Sequence, residues 1–258
     1  MTNEFAPIDL VVVPCLSDNY TYLVHNRDSG ETALVDAPAA GPVQDALRAK
    51  GWTLTDILIT HHHSDHIDAV EALRDGVRVV GAGSDKHRLP DLDLEVGDGD
   101  VITVCGVDVH VLDVPGHTIG HIAYHMPEPE LAFTADSLMA LGCGRLFEGT
   151  PAQMWESLQK LRNLPEDTII CSGHEYTETN GRFALSLDPE NTALISRLEG
   201  VKAARAAGRP TVPSALDDEI RTNPFLRADD PAFKAVLGLA DATDVEVFAQ
   251  IRARKDKF

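Results

Sequence analysis

Short apolar runs alternate with turn residues along the first two-thirds of the chain. The runs are rich in valine and isoleucine and are bounded by glycine, proline, asparagine or aspartate, which is the pattern of buried β-strands. We therefore predict strands at 9–16, 20–26, 32–38, 55–60, 77–83, 101–106, 107–115, 121–127, 130–136 and 167–174.

Segments with helical periodicity lie between several of these strands. The sequence predicts helices at 41–51, 66–76 and 150–165. In the last of these, Thr150 is expected as the N-cap and Pro151 as the first helical residue.

The pattern changes near residue 176. From there on, helical segments at 191–208 and 245–255 are separated by loops that contain proline. No internal repeat is visible. The predicted organisation is a mixed α/β domain over residues 1–175, followed by a smaller helical domain over residues 176–258.

Composition and charge restrict the classes of function. The chain has 258 residues, 43% of them hydrophobic, which is enough for one large domain or for a large and a smaller one. Its formal net charge is −19, so the surface repels polyanions and we expect no nucleic-acid partner. Four basic residues crowd into the last eight positions, "IRARKDKF", where they either bind a small anion or stabilise a helix end.

Other features of the composition concern location. Four cysteines lie far apart without a C-x-x-C pair, which favours a reducing compartment. The beginning of the chain lacks the pattern of a signal peptide, and no apolar run approaches the about 18 residues of a membrane span. We expect a cytoplasmic monomer that neither spans nor binds a membrane.

A dense group of potential metal ligands, "ITHHHSDHID", lies at residues 59–68. It follows a buried-strand pattern and precedes a helical one, so it occupies a loop at a strand end, where ligands usually bind. Successive extended residues point to opposite sides, so His61 and His63 can face one metal ion while the residue between them faces away. Asp65 and His66, at the start of the helix, are then available to a neighbouring ion.

Further residues of the same types, His117, Asp136 and His174, lie at the ends of later predicted strands. Nitrogen and oxygen donors without thiolate suit zinc, iron or manganese, and seven ligands are too many for one tetrahedral ion. The pattern therefore predicts two ions bridged by one carboxylate, with His62 and Asp68 as bystanders. The alternative, a histidine-rich surface tract, does not account for the H-x-H-x-D-H spacing.

Several stretches resemble a known family. The H-x-H-x-D-H motif, followed in order by a histidine, an aspartate and a last histidine, resembles the metallo-β-lactamase superfamily. "GHTIGHIAY", "FTADSL", "GCGRLFEGTPAQM", "CSGHEYT" and "TVPSALDDEIRTNPFLR" resemble glyoxalase II, the hydroxyacylglutathione hydrolases, and the similarity runs along nearly the whole chain. The implied fold is α/β, the four-layer αβ/βα sandwich of the superfamily followed by a smaller all-helical C-terminal domain.

The resemblance also implies a centre of two divalent metal ions, with zinc favoured and iron or manganese as alternatives. As a ligand and a hydrogen-bond acceptor, Asp65 is expected to orient the hydroxide that two such ions generate from water. The implied ligands are His61, His63 and His117 for the first ion, Asp65, His66 and His174 for the second, and Asp136 as the bridge.

The implied activity is hydrolysis of the thioester S-D-lactoylglutathione, and of related S-2-hydroxyacylglutathiones, to D-lactate and glutathione, the second step of methylglyoxal detoxification. The glutathione-binding positions of the family correspond to Arg145, Tyr176, Arg252 and Lys255. Two alternatives stay open. One is another hydrolase or oxygenase on the same scaffold, such as a lactonase, a phosphodiesterase or a persulfide dioxygenase, and the other is a non-catalytic metal-binding protein.

Three positions depart from the family pattern. Ala135 stands where many members have glycine, and we expect it to be tolerated provided that its φ angle is negative. Phe147 replaces a tyrosine and Ser64 a tryptophan, which leaves substrate affinity open. A cysteine nucleophile, Cys143 or Cys171, is a further alternative, although a buried cysteine is usually only a small apolar residue.

Overall fold

The computed structural model describes residues 7–258, which form two compact units. Unit 1 contains the described residues up to Asp113 together with Gly120–Thr134. Unit 2 contains Val114–Ile119 together with Ala135–Phe258. This division differs from the predicted domain boundary near residue 176, which stays a prediction.

Unit 1 contains every strand predicted before residue 137 and one unpredicted strand of three residues, β6. Its helix α1 ends as predicted, because Gly51 takes the left-handed conformation with a φ of 70°. The elements of unit 1 are β1 (Ile8–Cys15), β2 (Asn19–Asn26), β3 (Thr32–Val35), α1 (Ala40–Lys50), β4 (Asp56–Leu58), α2 (Ser64–Ile67), α3 (Val70–Leu73), β5 (Arg78–Ala82), β6 (Leu94–Val96), β7 (Val101–Val104), β8 (Val107–Asp113), β9 (Ile122–Met126) and β10 (Leu131–Ala135), whose last residue belongs to unit 2.

Strands β1 to β6 form one sheet in sequence order. β1, β2 and β3 pair antiparallel, whereas β3 to β6 run parallel. Leu34, Ile57 and Val79, which are partners on adjacent parallel strands, are fully buried, as the continuous apolar runs predict. The chain leaves β3 and β4 at the same edge, where the N–H of Asp36 donates to the carbonyl of Leu58 at 2.9 Å.

Strands β7 to β10 pair antiparallel in sequence order. On β8, Val107, Val109 and Val111 are buried while the residues between them are exposed, which is the period of a strand with one face on a core. The hydroxyl of the buried Tyr124 on β9 donates to the carbonyl of Ile59 at 2.9 Å. This bond holds the start of the ligand-rich loop against β9.

The single helix predicted at 66–76 is wrong, because this segment contains only the end of α2 and the separate short helix α3. The break has a cause elsewhere in the chain. The N–H of Ala37 donates to the carbonyl of His66 at 2.7 Å, and the N–H of Ala69 donates to the carbonyl of Ala37 at 2.9 Å. These bonds replace intrahelical ones and fix the position of the loop after β4.

Unit 2 is mainly helical, and its helix α4 begins as predicted. The side chain of Thr150 accepts from the N–H of Gln153 while Gln153 bonds back to Thr150, a reciprocal cap. The predicted helices at 191–208 and 245–255 are confirmed as α6 and α9. The predicted strand at 167–174 is confirmed as β13. Helices α5, α7 and α8 were not predicted. The elements of unit 2 are β11 (Leu138–Met139), β12 (Gly142–Cys143), α4 (Pro151–Arg162), β13 (Ile169–Ser172), α5 (Thr177–Leu187), α6 (Thr192–Ala206), β14 (Ser214–Ala215), α7 (Leu216–Thr222), α8 (Pro231–Leu237) and α9 (Asp244–Lys255).

Buried aromatic side chains tie the helices of unit 2 together. The rings of Phe183 on α5 and Phe225 stack at 6.1 Å, and Phe225 meets the ring of Phe248 on α9 edge-on at 5.7 Å. The C-terminal helix, with its basic residues, is thereby anchored to α5. Within the described part of the chain, no helix is both long and apolar enough to cross a membrane.

Candidate metal centre

Unit 1 brings together the four candidate ligands of the 59–68 loop. Nε2 of His61 lies 3.1 Å from Nδ1 of His63, and the rings of His61 and His66 are 4.2 Å apart. Oδ2 of Asp65 lies 3.8 Å from Nε2 of His66. His61 and His66 are buried, whereas His63 and Asp65 are partly exposed. The loop thus presents imidazole and carboxylate groups in one small region.

Asp36 fixes the orientation of two of these imidazoles. Its buried carboxylate accepts from Nδ1 of His66 at 2.8 Å and from the hydroxyl of Thr60 at 2.8 Å. The Thr60 hydroxyl donates its only hydrogen to Asp36. Its oxygen can therefore only accept from Nδ1 of His61, which lies 3.0 Å away. In both histidines the proton therefore sits on Nδ1, and Nε2 carries the lone pair that a metal ion needs.

His62, the histidine expected to be a bystander, is bound elsewhere. Its Nδ1 lies 3.1 Å from Oδ2 of Asp85, whose other oxygen accepts from Nε of Arg88 at 2.6 Å. The expected bystander Asp68 is exposed. His121, also in unit 1, stacks on His61 at 4.6 Å and so limits the rotation of that ring.

Unit 2 brings together the other three candidate ligands. Nε2 of His117 and Nε2 of His174 lie 3.4 and 3.2 Å from the same carboxylate oxygen, Oδ2 of Asp136. Nδ1 of His117 lies 2.8 Å from the carbonyl oxygen of Arg145, which can only accept, so the proton of His117 sits on Nδ1. All three side chains are at least nine-tenths buried. A carboxylate oxygen that lies this close to two imidazole nitrogens suits a shared cation.

The main chain around Asp136 is tightly constrained. A Cβ atom on Gly144 would lie 2.0 Å from the carbonyl oxygen of Asp136 and 2.8 Å from Nδ1 of His117, so only glycine fits. We expected Ala135 to be tolerated in place of glycine only if its φ angle were negative. Its φ is 40°, so this condition is not met. Its carbonyl accepts from the N–H of Gly173 at 3.0 Å, which helps to hold this strained conformation beside the ligand.

The four expected glutathione-binding residues all belong to unit 2. The ring of Tyr176 stacks on His174 at 4.8 Å, and Arg145 is exposed. Burial, together with the charge of Arg252, lowers the pKa of the half-buried Lys255 to about 8. Arg252 is buried, and its guanidinium donates to the carbonyl of Cys143 at 3.1 Å and contacts Asp256 at 2.8 Å. Arg252 therefore already has partners within the protein.

Family models match the chain along nearly its whole length. The model of the metallo-β-lactamase superfamily matches residues 16–174, and that of the hydroxyacylglutathione hydrolase C-terminus matches residues 175–258. A hydroxyacylglutathione hydrolase from a strain of Cereibacter sphaeroides is 62% identical over 98% of this chain and 100% of its own length. The chain belongs to the hydroxyacylglutathione hydrolase family. Another family member, from Ruegeria pomeroyi, is 60% identical over the same shares of both chains.

Solved structures agree with this family's fold. The crystal structure of ETHE1 from Myxococcus xanthus aligns with a TM-score of 0.65 at 26% identity and covers 95% of this chain and 89% of its own. The B3 metallo-β-lactamase BLEG-1 aligns with a TM-score of 0.66 at 22% identity and covers 84% of this chain and 99% of its own. The predicted fold class, a metallo-β-lactamase fold with a helical C-terminal region, is confirmed, although that region also contains the two-residue strand β14.

The two cysteines near the family motifs do not favour a thiol nucleophile. Both are buried, and burial raises the pKa of Cys143 to about 11 despite the nearby Arg252. Burial also raises the pKa of Cys171 far above its ordinary value. At neutral pH both thiols are protonated, whereas the thiolate is the nucleophilic form.

Three contributors to the site were not predicted: Asp36, Thr60 and Gly144. Asp36 lies near the end of the third predicted strand, in "TALVDAP", and directly follows β3 in the structure, so it carries a signal like the one that identified Asp136, a carboxylate at a strand end. No comparable signal marks Thr60, whose role depends on the position of its hydroxyl between two other side chains.

Proposed function

We propose that this chain is a hydroxyacylglutathione hydrolase that converts S-D-lactoylglutathione, and related S-2-hydroxyacylglutathiones, to D-lactate or the corresponding acid and glutathione. The observation that carries the proposal is the identity of 62% to a relative of that name over the full length of the relative. The C-terminal match supports the same activity, because the model is specific to this family. We assign the catalytic domain to residues 1–175 and glutathione binding to residues 176–258 together with Arg145.

We propose that seven side chains hold two divalent metal ions. The donors suit such ions, because imidazole and carboxylate bind zinc, iron and manganese. The proton positions of His61, His66 and His117 also suit them, since each leaves Nε2 able to bind a cation. We assign the first ion to His61, His63 and His117, the second to Asp65, His66 and His174, and the bridge to Asp136; zinc is the ion that we favour, with iron or manganese as alternatives.

The residues of the chain then have distinct roles in thioester hydrolysis. When bound, the two ions would supply Lewis acidity and lower the pKa of a water molecule. The carboxylate of Asp65 would accept a hydrogen bond from the attacking water and so direct an oxygen lone pair towards the thioester carbonyl. When the carbon–sulfur bond breaks, glutathione leaves as a thiolate; because its thiol has a pKa near that of free cysteine, roughly 8.5, this departure needs no dedicated general acid.

We propose that Arg145, Tyr176, Arg252 and Lys255 bind the glutathione part of the substrate. The ammonium of Lys255 and the exposed guanidinium of Arg145 complement its carboxylates. Arg252, which already donates to Cys143 and contacts Asp256, contributes mainly its positive charge. The ring of Tyr176, which is 39% exposed, stacks on His174. That the enzyme works as a cytoplasmic monomer also stays a prediction.

The test is release of free thiol from S-D-lactoylglutathione by the purified protein, with and without a chelator. We expect release that the chelator abolishes and added zinc restores. Asp65→Ala should lose most of this activity, whereas Asp68→Ala, three positions further on and exposed, should keep it. Absence of chelator-sensitive release, together with turnover of a lactone or a phosphodiester, would favour another activity on the same scaffold.

A further inference from the structure

Asn19 lies beside Asp65 although the two residues are far apart in sequence. We propose that Asn19 is a positioning residue that holds the Asp65 carboxylate in the orientation needed for metal binding and for the reaction. The proposal rests on the proposed function, because Asp65 is assigned there as a metal ligand and as the residue that orients water. Nothing in the sequence pattern of the loop itself identifies Asn19, since it is the first residue of β2.

The contact is specific. The side-chain nitrogen of Asn19 donates to Oδ2 of Asp65 at 2.9 Å and to the backbone carbonyl of Asp65 at 3.2 Å. One amide group thus uses both of its hydrogens on a single residue, 46 positions away. Asn19 itself is only 4% exposed, so its amide has little freedom to turn towards water. These two bonds restrict both the side-chain torsion of Asp65 and the backbone that carries it.

The element that carries Asp65 is short and gives its side chain little support. It belongs to α2, which has only four residues, and its side chain is 38% exposed. The oxygen that Asn19 contacts is the one 3.8 Å from Nε2 of His66, the imidazole assigned to the same ion. Asp36 orients His66, and Asn19 orients Asp65.

The chemistry of the amide also fits this role. A neutral donor can occupy one lone pair of a carboxylate oxygen while the carboxylate keeps its full negative charge for a cation. A lysine or arginine at this position would neutralise the carboxylate, and an aspartate would place a second negative charge at hydrogen-bonding distance. Asparagine therefore positions Asp65 without competing with the metal ion.

Asn26 provides a matched control at the other end of the same strand. It is 6% exposed, and its side-chain nitrogen donates to the carbonyl of Cys105 at 2.7 Å. Its side-chain oxygen accepts from the N–H of Asp28 at 2.8 Å. Asn26 is thus a buried asparagine that anchors a turn, with none of its bonds reaching a candidate metal ligand.

The experiment compares Asn19→Ala and Asn19→Asp with Asn26→Ala and Asn26→Asp. The measurements are zinc affinity by chelator competition, the absorption spectrum of the cobalt-loaded protein, the melting temperature, and kcat and KM. We expect the Asn19 variants to lose about 10- to 100-fold in affinity for one of two metal ions, with an altered cobalt spectrum. Their kcat should fall with little change in KM, whereas the Asn26 variants should lose only thermal stability.

The proposal is overturned if the Asn19 variants resemble the Asn26 variants, with a lower melting temperature but zinc affinity and cobalt spectrum like those of the wild type. If Asn19→Asp does not fold, Asn19→Ala decides, because it removes the donor without adding a charge. Failure of the proposed function gives a different result. In that case the wild-type protein binds metal without releasing thiol, and the zinc affinities of the four variants still test Asn19.

Discussion

Asp36→Asn should weaken metal binding by two candidate ligands at once. The Asp36 carboxylate accepts from the N–H and the hydroxyl of Thr60 and from Nδ1 of His66, each at 2.8 Å. An asparagine of the same shape can keep one acceptor, but its NH₂ group must then face the hydroxyl of Thr60 and Nδ1 of His66. The Thr60 hydroxyl oxygen and Nδ1 of His66 would both have to accept from this NH₂ group. The hydrogen of the Thr60 hydroxyl would then be donated to Nδ1 of His61. In both imidazoles the proton moves from Nδ1 to Nε2, the nitrogen that a metal ion needs.

The expected magnitude follows from this reversal. Loss of the carboxylate partner of a metal-bound histidine costs about 10- to 100-fold in affinity, or about 1.4 to 2.7 kcal/mol at each ion. His61 and His66 are assigned to different ions, so both affinities should fall. The assay is a zinc titration against a chromogenic chelator, with nuclear magnetic resonance of the imidazole nitrogens to report the tautomers.

Asp56→Asn is the matched control. Asp56 is also buried, and it accepts from Nε of Arg78 at 2.6 Å and from the hydroxyl of Thr55 at 2.8 Å, at the start of β4. Both substitutions should lower the free energy of unfolding by about 1–3 kcal/mol, because each leaves donors poorly paired. Only Asp36→Asn should change zinc affinity. Equal zinc affinities in the two variants, or unchanged tautomers in Asp36→Asn, would refute the reasoning.

Three further substitutions test other parts of the site, and a fourth, Gly200→Ala, is a control outside it. Gly144→Ala must move the Asp136 carbonyl by about 1 Å to make room for a methyl group. Such a displacement can lower activity about 100-fold. Activity like that of the wild type would contradict the close packing at Gly144. Gly200→Ala, in α6 with open space around it, should instead raise the free energy of unfolding by about 0.8–1 kcal/mol in urea titrations. Ala135→Gly should stabilise the protein by about 0.5–1 kcal/mol. The free energy gained by relieving the left-handed strain exceeds the entropic cost of ordering a more flexible unfolded chain. A lower stability would show that the strain is absent. The pKa of Lys255 is about 8, so its ammonium loses charge as pH rises through that value; KM should then rise between pH 7 and 9 in the wild type but not in Lys255→Arg.

The ligand types were predictable because they follow local rules. His61, His63, Asp65 and His66 lie within one short loop whose spacing is visible in the sequence, and each strand before the loop has a clear apolar pattern. The family resemblance then supplied the assignment of ligands to ions and the glutathione-binding positions. Those assignments need no knowledge of side-chain contacts, only of order along the chain.

The supporting contacts were not predictable, because they join positions that are distant in sequence. Asp36 and His66 are 30 residues apart, and Asn19 and Asp65 are 46 apart, so no periodicity connects them. The same reason explains the wrong prediction of one helix at 66–76, since its break depends on bonds to Ala37. The positive φ of Ala135 was also hidden, because alanine ordinarily indicates a negative φ.

The central claim is that two metal ions, held by the seven assigned side chains, enable this chain to hydrolyse a glutathione thioester. The most direct measurement is thiol release from S-D-lactoylglutathione by metal-free protein that receives zinc in steps. The account predicts no release without metal and a rate that rises until two equivalents of zinc per chain are bound. Full activity at one equivalent, or release that needs no metal, would contradict it.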